Sequence, residues 1–197
     1  MKIEYKVHIT KGSGKLEGIN SINTSTLENE YCTKMRKTDA ICKDCYAARF
    51  EKLRPNITVA FRRNNFLSER YLKGYEIPKI NARAFRFSSY GELINYKHAY
   101  NYFTIAQNNP DTTFTLWTKR YRIVQKVLKD TDKPSNLLLI YSSPVKDEIS
   151  PKPYGFDKVF TAFTKVGAKD INCHGSCMDC LLCYSHNDVG YINEIIK

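Results

Sequence analysis

Four runs of apolar, β-prone residues recur along the middle of the chain, and each run ends in small polar or basic residues. They span residues 84–89, 114–119, 138–143 and 160–165, and residues 18–24 form a similar, earlier segment. Short continuous apolar runs are typical of strands that are buried on both faces of a parallel sheet. The pattern therefore predicts a parallel sheet of about five to six strands.

Apolar residues at helical spacing fill some of the gaps between these runs. Residues 99–106 place apolar side chains three and four positions apart, which predicts an amphipathic helix that ends at residues 109–111. Residues 121–129 and residues 57–73 are also predicted to be helical. Residues 143–157 contain three prolines and predict a loop.

Alternation of strands and helices implies parallel strands joined by right-handed crossovers. The predicted fold class is therefore α/β, either a partial (β/α) barrel or an open parallel sheet, with cysteine-rich loops near both ends of the chain. In both architectures, binding sites form at the carboxyl ends of the strands. Polar residues that end the predicted strands either contribute to such a site or only mark where each strand leaves the core. These residues are Ser88, Ser89, Lys119, Ser142, Ser143, Thr164 and Lys165.

The length of 197 residues suits a single well-cored domain. We expect a βα scaffold over residues 14–168, with a first cysteine cluster at residues 32–45, and a C-terminal cysteine segment over residues 169–197. No apolar run reaches the roughly 20 residues that cross a bilayer, and residues 1–6 lack the apolar core of a signal peptide. These features predict a cytoplasmic protein with no membrane contact.

Seven cysteines are the most informative feature of the composition, and they fall into two groups. The first group has the spacing Cys-x9-Cys-x2-Cys, and the second has the spacing Cys-x3-Cys-x2-Cys-x2-Cys. An odd number of cysteines without a signal peptide fits a disulfide framework poorly, whereas clustered thiolates are typical of metal sites. The first group is Cys32, Cys42 and Cys45, and the second is Cys173, Cys177, Cys180 and Cys183.

The two spacings predict two kinds of iron–sulfur site. Three thiolates in the first group would hold three irons of a [4Fe–4S] cluster and leave the fourth iron open to a substrate or cofactor. The compact second group has the close spacing of a ferredoxin ligand run in reverse order, which predicts a closed cluster. Two alternatives remain open. One is a zinc ion held by Cys42, Cys45 and two C-terminal cysteines, and the other is cysteines that are free or disulfide-bonded.

A series of short motifs follows the first cysteines in a defined order. Residues 14–24 precede the first cysteine group, residues 86–92 form a polar turn after a strand, and Asn109-Pro110 ends a helix. The later motifs are Trp117-Thr118-Lys119, Pro134-Ser135-Asn136 and Cys177-x2-Cys180-x2-Cys183-Tyr184. This order resembles that of the phage family called gene product 88. The resemblance implies a phage protein that acts in the cytoplasm of an infected host cell.

Two features at the predicted mouth of the sheet resemble a second family. The first cysteine group has the Cys-x9-Cys-x2-Cys spacing of the Elongator acetyltransferase subunit. Tyr90-Gly91-Glu92 stands where radical S-adenosylmethionine (SAM) enzymes carry a Gly-Gly-Glu-like motif. The chain is thus similar in layout to a small radical SAM enzyme, which implies SAM as a cofactor and a host flavodoxin or ferredoxin as electron donor. It also implies catalytic roles for Glu92, Lys119 and Lys165, and cofactor-binding roles for Ser88, Ser89, Gly91, Glu92, Ser142 and Ser143.

Lysine and arginine total 31 and aspartate and glutamate total 20, which gives a formal net charge of +11. Residues 49–73 carry seven basic and two acidic residues, so a charge of 7 − 2 = +5 lies in this aromatic-rich stretch. Such a stretch can bind nucleic-acid phosphates. The alternative is a solvated helix face whose aromatic side chains pack inward. The basic residues are Arg49, Lys52, Arg54, Arg62, Arg63, Arg70 and Lys73.

Three functions remain open from the sequence. The first is an iron–sulfur protein that resembles a radical SAM enzyme and acts on an unknown substrate, with nucleic acid as one candidate. The second is a non-enzymatic, iron–sulfur-stabilised module that binds nucleic acid or a host protein. The third is a structural protein that zinc holds together.

Overall fold

Seven strands form one sheet in the computed structural model, which describes residues 6–196. The order of the strands across the sheet is their order along the chain. Residues 1–5 and residue 197, at the two ends of the predicted domain, lie outside the described residues. The strands are β1 (Ile9–Thr10), β2 (Asn20–Ile22), β3 (Ala84–Phe87), β4 (Thr113–Thr118), β5 (Leu137–Lys146), β6 (Lys158–Phe163) and β7 (Tyr191–Ile195).

Strands β2 to β7 run parallel to one another, and β1 pairs antiparallel with β2. The sheet is open, because β1 and β7 lie at its two edges in the described part of the chain. Of the two predicted architectures, the open and mostly parallel sheet is therefore confirmed. The strands β1 and β7 are additions that the sequence patterns did not predict.

Helices connect most of the strands. They are α1 (Glu30–Met35), α2 (Tyr46–Leu53), α3 (Pro55–Arg62), α4 (Phe66–Glu69), α5 (Tyr96–Gln107), α6 (Tyr121–Asp130) and α7 (Cys177–Cys180), with short 3-10 helices at Gly14–Leu16, Ile41–Asp44 and Gly74–Glu76. The predicted helices at residues 99–106 and 121–129 are confirmed as α5 and α6. Within residues 6–196, no helix is both long enough and apolar enough to cross a membrane.

The segment 57–73 that is predicted to be helical contains two helices, α3 and α4, with a break between them, and it leaves the helical conformation after Glu69. The fully buried Asn64 lies at the break. Its Nδ2 donates hydrogen bonds to the backbone oxygens of His8 and Asn23, and its Oδ1 accepts one from the backbone N of His8. These contacts to distant segments fix a conformation that helical periodicity does not reveal.

The two faces of the sheet differ in chemistry, since alternate residues of a strand point to opposite sides. On one face, Phe87 of β3 stacks on Tyr102 of α5 with ring centroids 4.2 Å apart. On the other face, the Arg86 guanidinium lies 4.1 Å from the centroid of the Trp117 ring. The first face holds the main apolar core beneath α5 and α6, and the second is covered by the C-terminal cysteine segment.

The cysteine-rich segments are not simple loops. Cys32 lies on α1, Cys42 lies in the 3-10 helix Ile41–Asp44, and the second group includes the short helix α7. The predicted loop over residues 143–157 also begins later than expected, because β5 continues to Lys146. Pairing of β5 with β6 is irregular between Ser142 and Lys146, which accommodates the proline in that segment.

Candidate metal centre

A buried asparagine positions the first cysteine. Asn29 is the N-cap of α1, and its Oδ1 accepts a hydrogen bond from the backbone N of Cys32 at 3.1 Å. Its Nδ2 donates to the backbone oxygen of Glu92 at 2.8 Å. One side chain therefore fixes the start of α1 and ties Cys32 to the segment that follows β3.

The thiols of the first group lie close enough to influence one another electrostatically. Burial raises the pKa of the Cys32 thiol, and Glu92, Cys45 and Cys42 raise it further. Burial also raises the pKa of Cys42, and the Lys119 ammonium opposes that rise. The Cys32 and Cys42 thiols therefore lie near enough to Glu92, which follows β3, and to Lys119, which follows β4, for these charges to affect their pKa values.

A fully buried glutamate anchors α2, the helix that follows the last cysteine of this group. Glu51 accepts hydrogen bonds from Ser25 Oγ at 2.7 Å, from the backbone N of Thr26 at 2.6 Å and from Thr58 Oγ1 at 3.1 Å. Its donors lie in the segment after β2 and on α3. Sequence reasoning missed both Glu51 and Asn29; the N-cap position of Asn29 is a sequence signal, whereas Glu51 offers none.

A buried hydrogen-bond network fixes the end of β3. Ser89 Oγ lies 2.9 Å from Ser21 Oγ and donates to Asn23 Oδ1 at 2.8 Å. The Tyr46 hydroxyl donates to the backbone oxygen of Ser89 at 2.9 Å. Because Tyr46 is the residue after Cys45, this bond joins the first cysteine group directly to the end of β3.

The turn after β3 has left-handed backbone at two predicted site residues. Ser88 has a φ of 60°, and Gly91 has a φ of 74°. A Cβ at Gly91 would lie 2.4 Å from Thr24 Oγ1 and 2.5 Å from the Thr24 backbone oxygen. The Gly91 position therefore requires glycine for both its conformation and its close approach to β2's end.

Glu92 joins the ends of β3 and β4. Its carboxylate accepts hydrogen bonds from Thr118 Oγ1 at 2.5 Å, from the backbone N of Lys119 at 2.8 Å and from the backbone N of Leu93 at 2.8 Å. A carboxylate offers about four acceptor positions, so about one remains for a ligand. Lys119 Nζ donates to Ser142 Oγ on β5 at 3.0 Å, which brings three predicted site residues together.

Two other predicted residues lie apart from that arrangement. Ser143 is buried, and its Oγ lies 2.8 Å from Ser150 Oγ. Lys165 is exposed just after β6. In the described part of the chain, no hydrogen bond or ion pair joins Lys165 to the first cysteine group.

The four cysteines of the second group line one small cavity on the opposite face of the sheet from α5 and α6. Tyr184 and Ile192 complete much of its wall. The segment is anchored by Ile19 and Ala84, which pack against Tyr184. Burial raises the pKa of the Cys183 thiol to about 12, and neighbouring Cys177 adds to that rise.

The donor atoms of both groups suit an iron–sulfur cluster in number and type. All seven cysteines are free thiols, so of the alternative without a metal the disulfide form is absent and the free form is the one that the structure contains. Among residues 6–196, no three His, Cys, Asp or Glu side chains are arranged to hold a single metal ion. In a [4Fe–4S] cluster each cysteine binds a different iron. Three thiols in one group and four in the other match an open and a closed cluster, respectively.

Two of the seven basic residues in the segment 49–73 form ion pairs, and the other five are exposed. Arg62 forms an ion pair with Glu28, and Arg70 forms a two-point ion pair with the buried Glu76 at 2.6 Å. Phe61 and Phe66 pack inward, whereas Phe50 and Tyr71 are exposed. The remaining predicted basic residues are exposed, and they are Arg49, Lys52, Arg54, Arg63 and Lys73.

A protein-family model described as gene product 88 matches residues 6–170 of the chain. That segment includes β1 to β6 and the first cysteine group, and it ends before the second. No curated protein and no solved structure matches the chain. The comparisons give the resemblance to radical SAM enzymes no support.

Proposed function

The chain belongs to the gene product 88 family of phage proteins, and we propose that it is an iron–sulfur protein whose first cysteine group is an enzymatic site. Cys32, Cys42 and Cys45 hold a [4Fe–4S] cluster with one open iron. The four cysteines of the second group hold a closed auxiliary cluster.

The observation that supports the proposal is the electrostatic coupling of Cys32 and Cys42 to Cys45, Glu92 and Lys119, near the carboxyl ends of β3 and β4. Ligands of open parallel α/β sheets bind at that edge. Cys32 and Cys42 come from separate short helices, yet Glu92 raises the pKa of both thiols and Lys119 lowers it. The first cysteine group would therefore hold its cluster at the edge of the sheet where ligands of this architecture bind.

The chemistry that such a cluster supplies, when bound, is one-electron reduction of SAM at its open iron. This chain's own residues would position and hold the reactants. The Lys119 ammonium would offset thiolate charge on Cys32 and Cys42. Ser142 accepts one of its three N–H donors, and the others would bind an anionic group of the substrate or cofactor. Glu92 keeps β3 and β4 in register at the mouth and offers one remaining acceptor position to an ammonium.

SAM turnover tests the enzymatic proposal. Protein reconstituted with iron and sulfide without air, then mixed with dithionite and SAM, should release 5′-deoxyadenosine. Cys42→Ala should abolish the release, and the exposed Lys126→Met should leave it unchanged. Absence of 5′-deoxyadenosine from wild-type protein that carries a full first cluster would contradict SAM as the cofactor.

A nucleic-acid-binding function is the second candidate, and the exposed side chains of residues 49–54 favour it. Arg49, Lys52 and Arg54 are exposed beside Phe50, and the Arg54 guanidinium lies 5.6 Å from the centroid of the Phe50 ring. Cations next to an exposed ring suit a phosphate backbone with unstacked bases.

Salt-dependent binding to single-stranded DNA or RNA tests this candidate. The affinity should fall as salt rises, and replacing Arg49, Lys52 and Arg54 with alanine should flatten the slope of log affinity against log salt concentration by about 2. Arg62→Ala is the matched control, since Glu28 already pairs that side chain. Equal slopes in all three proteins would contradict this interface.

A zinc-held structural protein, the third alternative, would contain zinc and no acid-labile sulfide after purification without air.

A further inference from the structure

A lysine contacts the second cysteine group directly. Lys15, in the 3-10 helix Gly14–Leu16, donates from Nζ to Cys173 Sγ at 3.2 Å. The same ammonium forms an ion pair with Glu194 Oε2 on β7 at 2.5 Å. A residue 158 positions earlier in the chain is thus aimed at a sulfur of this cavity.

Two further buried cations interact electrostatically with the second cysteine group, Arg86 with Cys177 and Lys158 with Cys183. Lys158 at the start of β6 is buried, and its Nζ donates to Asn187 Oδ1 at 2.6 Å and to the backbone oxygen of Val189 at 2.9 Å, in the segment that follows Cys183. Arg86 lies on the face of the sheet that this segment covers, and its buried Nε has no hydrogen-bond partner among residues 6–196.

The three cations near the cavity differ in their acidic partners. In the described part of the chain, no carboxylate forms an ion pair with Lys158 or Arg86, and Glu194 is the acidic partner of Lys15. Buried cations without an anionic partner are costly. Four thiolates on an iron–sulfur cluster, or on a zinc ion, carry a net negative charge. Such a centre at the four cysteines would give Lys158 and Arg86 an anionic partner.

We propose that Lys15, Arg86 and Lys158 form a counter-charge shell for an anionic four-thiolate metal centre at Cys173, Cys177, Cys180 and Cys183. This inference rests on the proposed second cluster. Lys15 has the most specific role, because its N–H donor contacts a ligand sulfur. Hydrogen bonds to sulfur and nearby positive charge favour the reduced, more negative state of a cluster. Lys15 therefore raises the reduction potential of the second cluster.

The midpoint potential of the second cluster tests the role of Lys15. It is measured by a redox titration followed by electron paramagnetic resonance, in full-length protein in which Cys32, Cys42 and Cys45 are alanine. Lys15→Met should shift the reduction equilibrium against the reduced form by about tenfold, which is about 59 mV for one electron. Lys15→Arg should keep the potential close to the wild-type value. Glu194→Gln should move the potential the opposite way.

The controls separate this inference from the proposed function. Lys126→Met on α6 should leave the potential unchanged. If both Lys15→Met and Glu194→Gln carry a full second cluster with the wild-type potential, the counter-charge role is overturned, whereas the proposed second cluster stands. If the site binds zinc instead of iron, competition with a chelator replaces the redox titration as the assay, and Lys15→Met should weaken zinc binding. A second site that binds neither metal would overturn the inference and the proposed second cluster together.

Discussion

Replacing Glu51 tests whether buried hydrogen bonds build the first cysteine site. Glu51→Ala removes the acceptor for Ser25 Oγ, the Thr26 backbone N and Thr58 Oγ1. Each net hydrogen bond contributes about 1 kcal/mol, and a buried donor left without an acceptor costs about 1–3 kcal/mol. We therefore expect a loss of about 3–5 kcal/mol, a large part of the roughly 5–15 kcal/mol that stabilises a typical domain.

Urea denaturation followed by circular dichroism measures this loss. The slope of the free energy against urea should stay unchanged, so that the midpoint reports stability alone. Glu51→Gln should lose only about 1 kcal/mol, because the amide oxygen accepts from Thr26 N and the two hydroxyls can turn to accept from the amide nitrogen. The exposed Glu69→Ala is the control, with an expected change within about 0.5 kcal/mol. Equal losses for the Ala and Gln variants, or a loss below about 1 kcal/mol for Glu51→Ala, would refute the hydrogen-bond account.

Three further predictions concern conformation, pH and ion pairing. Gly91→Ala should destabilise the protein by about 2–4 kcal/mol in the same denaturation assay, because it combines left-handed strain with overlap, whereas Gly74→Ala, which meets no atom within 4 Å, should be tolerated. Burial lowers the pKa of His98 from 6.5 to about 3. The unfolded chain therefore binds a proton that the folded chain excludes, and stability should fall by about 1.4 kcal/mol for each unit the pH drops within that window. The free energy of unfolding of His98→Gln, measured by urea denaturation at pH 7 and pH 5, should depend less on pH than that of the wild type. Arg70→Ala should cost about 1–3 kcal/mol in urea denaturation, because it leaves the buried Glu76 carboxylate without its two-point partner.

The parallel sheet was predictable because its strands are short apolar runs with polar ends. The helices α5 and α6 were predictable for a similar reason, since each repeats apolar residues at helical spacing against the core. The strand β1 has only two residues, which is too short for a period. The break at Asn64 depends on hydrogen bonds to His8 and Asn23, and no local pattern encodes such long-range contacts.

The metal-ligating candidates were predictable because cysteine is rare and its spacing is informative. The residues that position them were not. Asn29 and Glu51 act through partners on other segments, and Lys15 reaches Cys173 across most of the chain. Arg62 and Arg70 were grouped with the basic candidates for nucleic-acid binding, yet the structure pairs each with a carboxylate. Charge counting along a sequence does not reveal which charges are already partnered.

The iron and acid-labile sulfide content of protein purified without air tests the central claim most directly. Wild-type protein should carry about eight irons and about eight sulfides per chain, as two [4Fe–4S] clusters require. Replacing Cys32, Cys42 and Cys45 with alanine, or separately Cys173, Cys177, Cys180 and Cys183, should halve both values. Zinc without sulfide, or wild-type protein with no bound iron after reconstitution, would contradict the account.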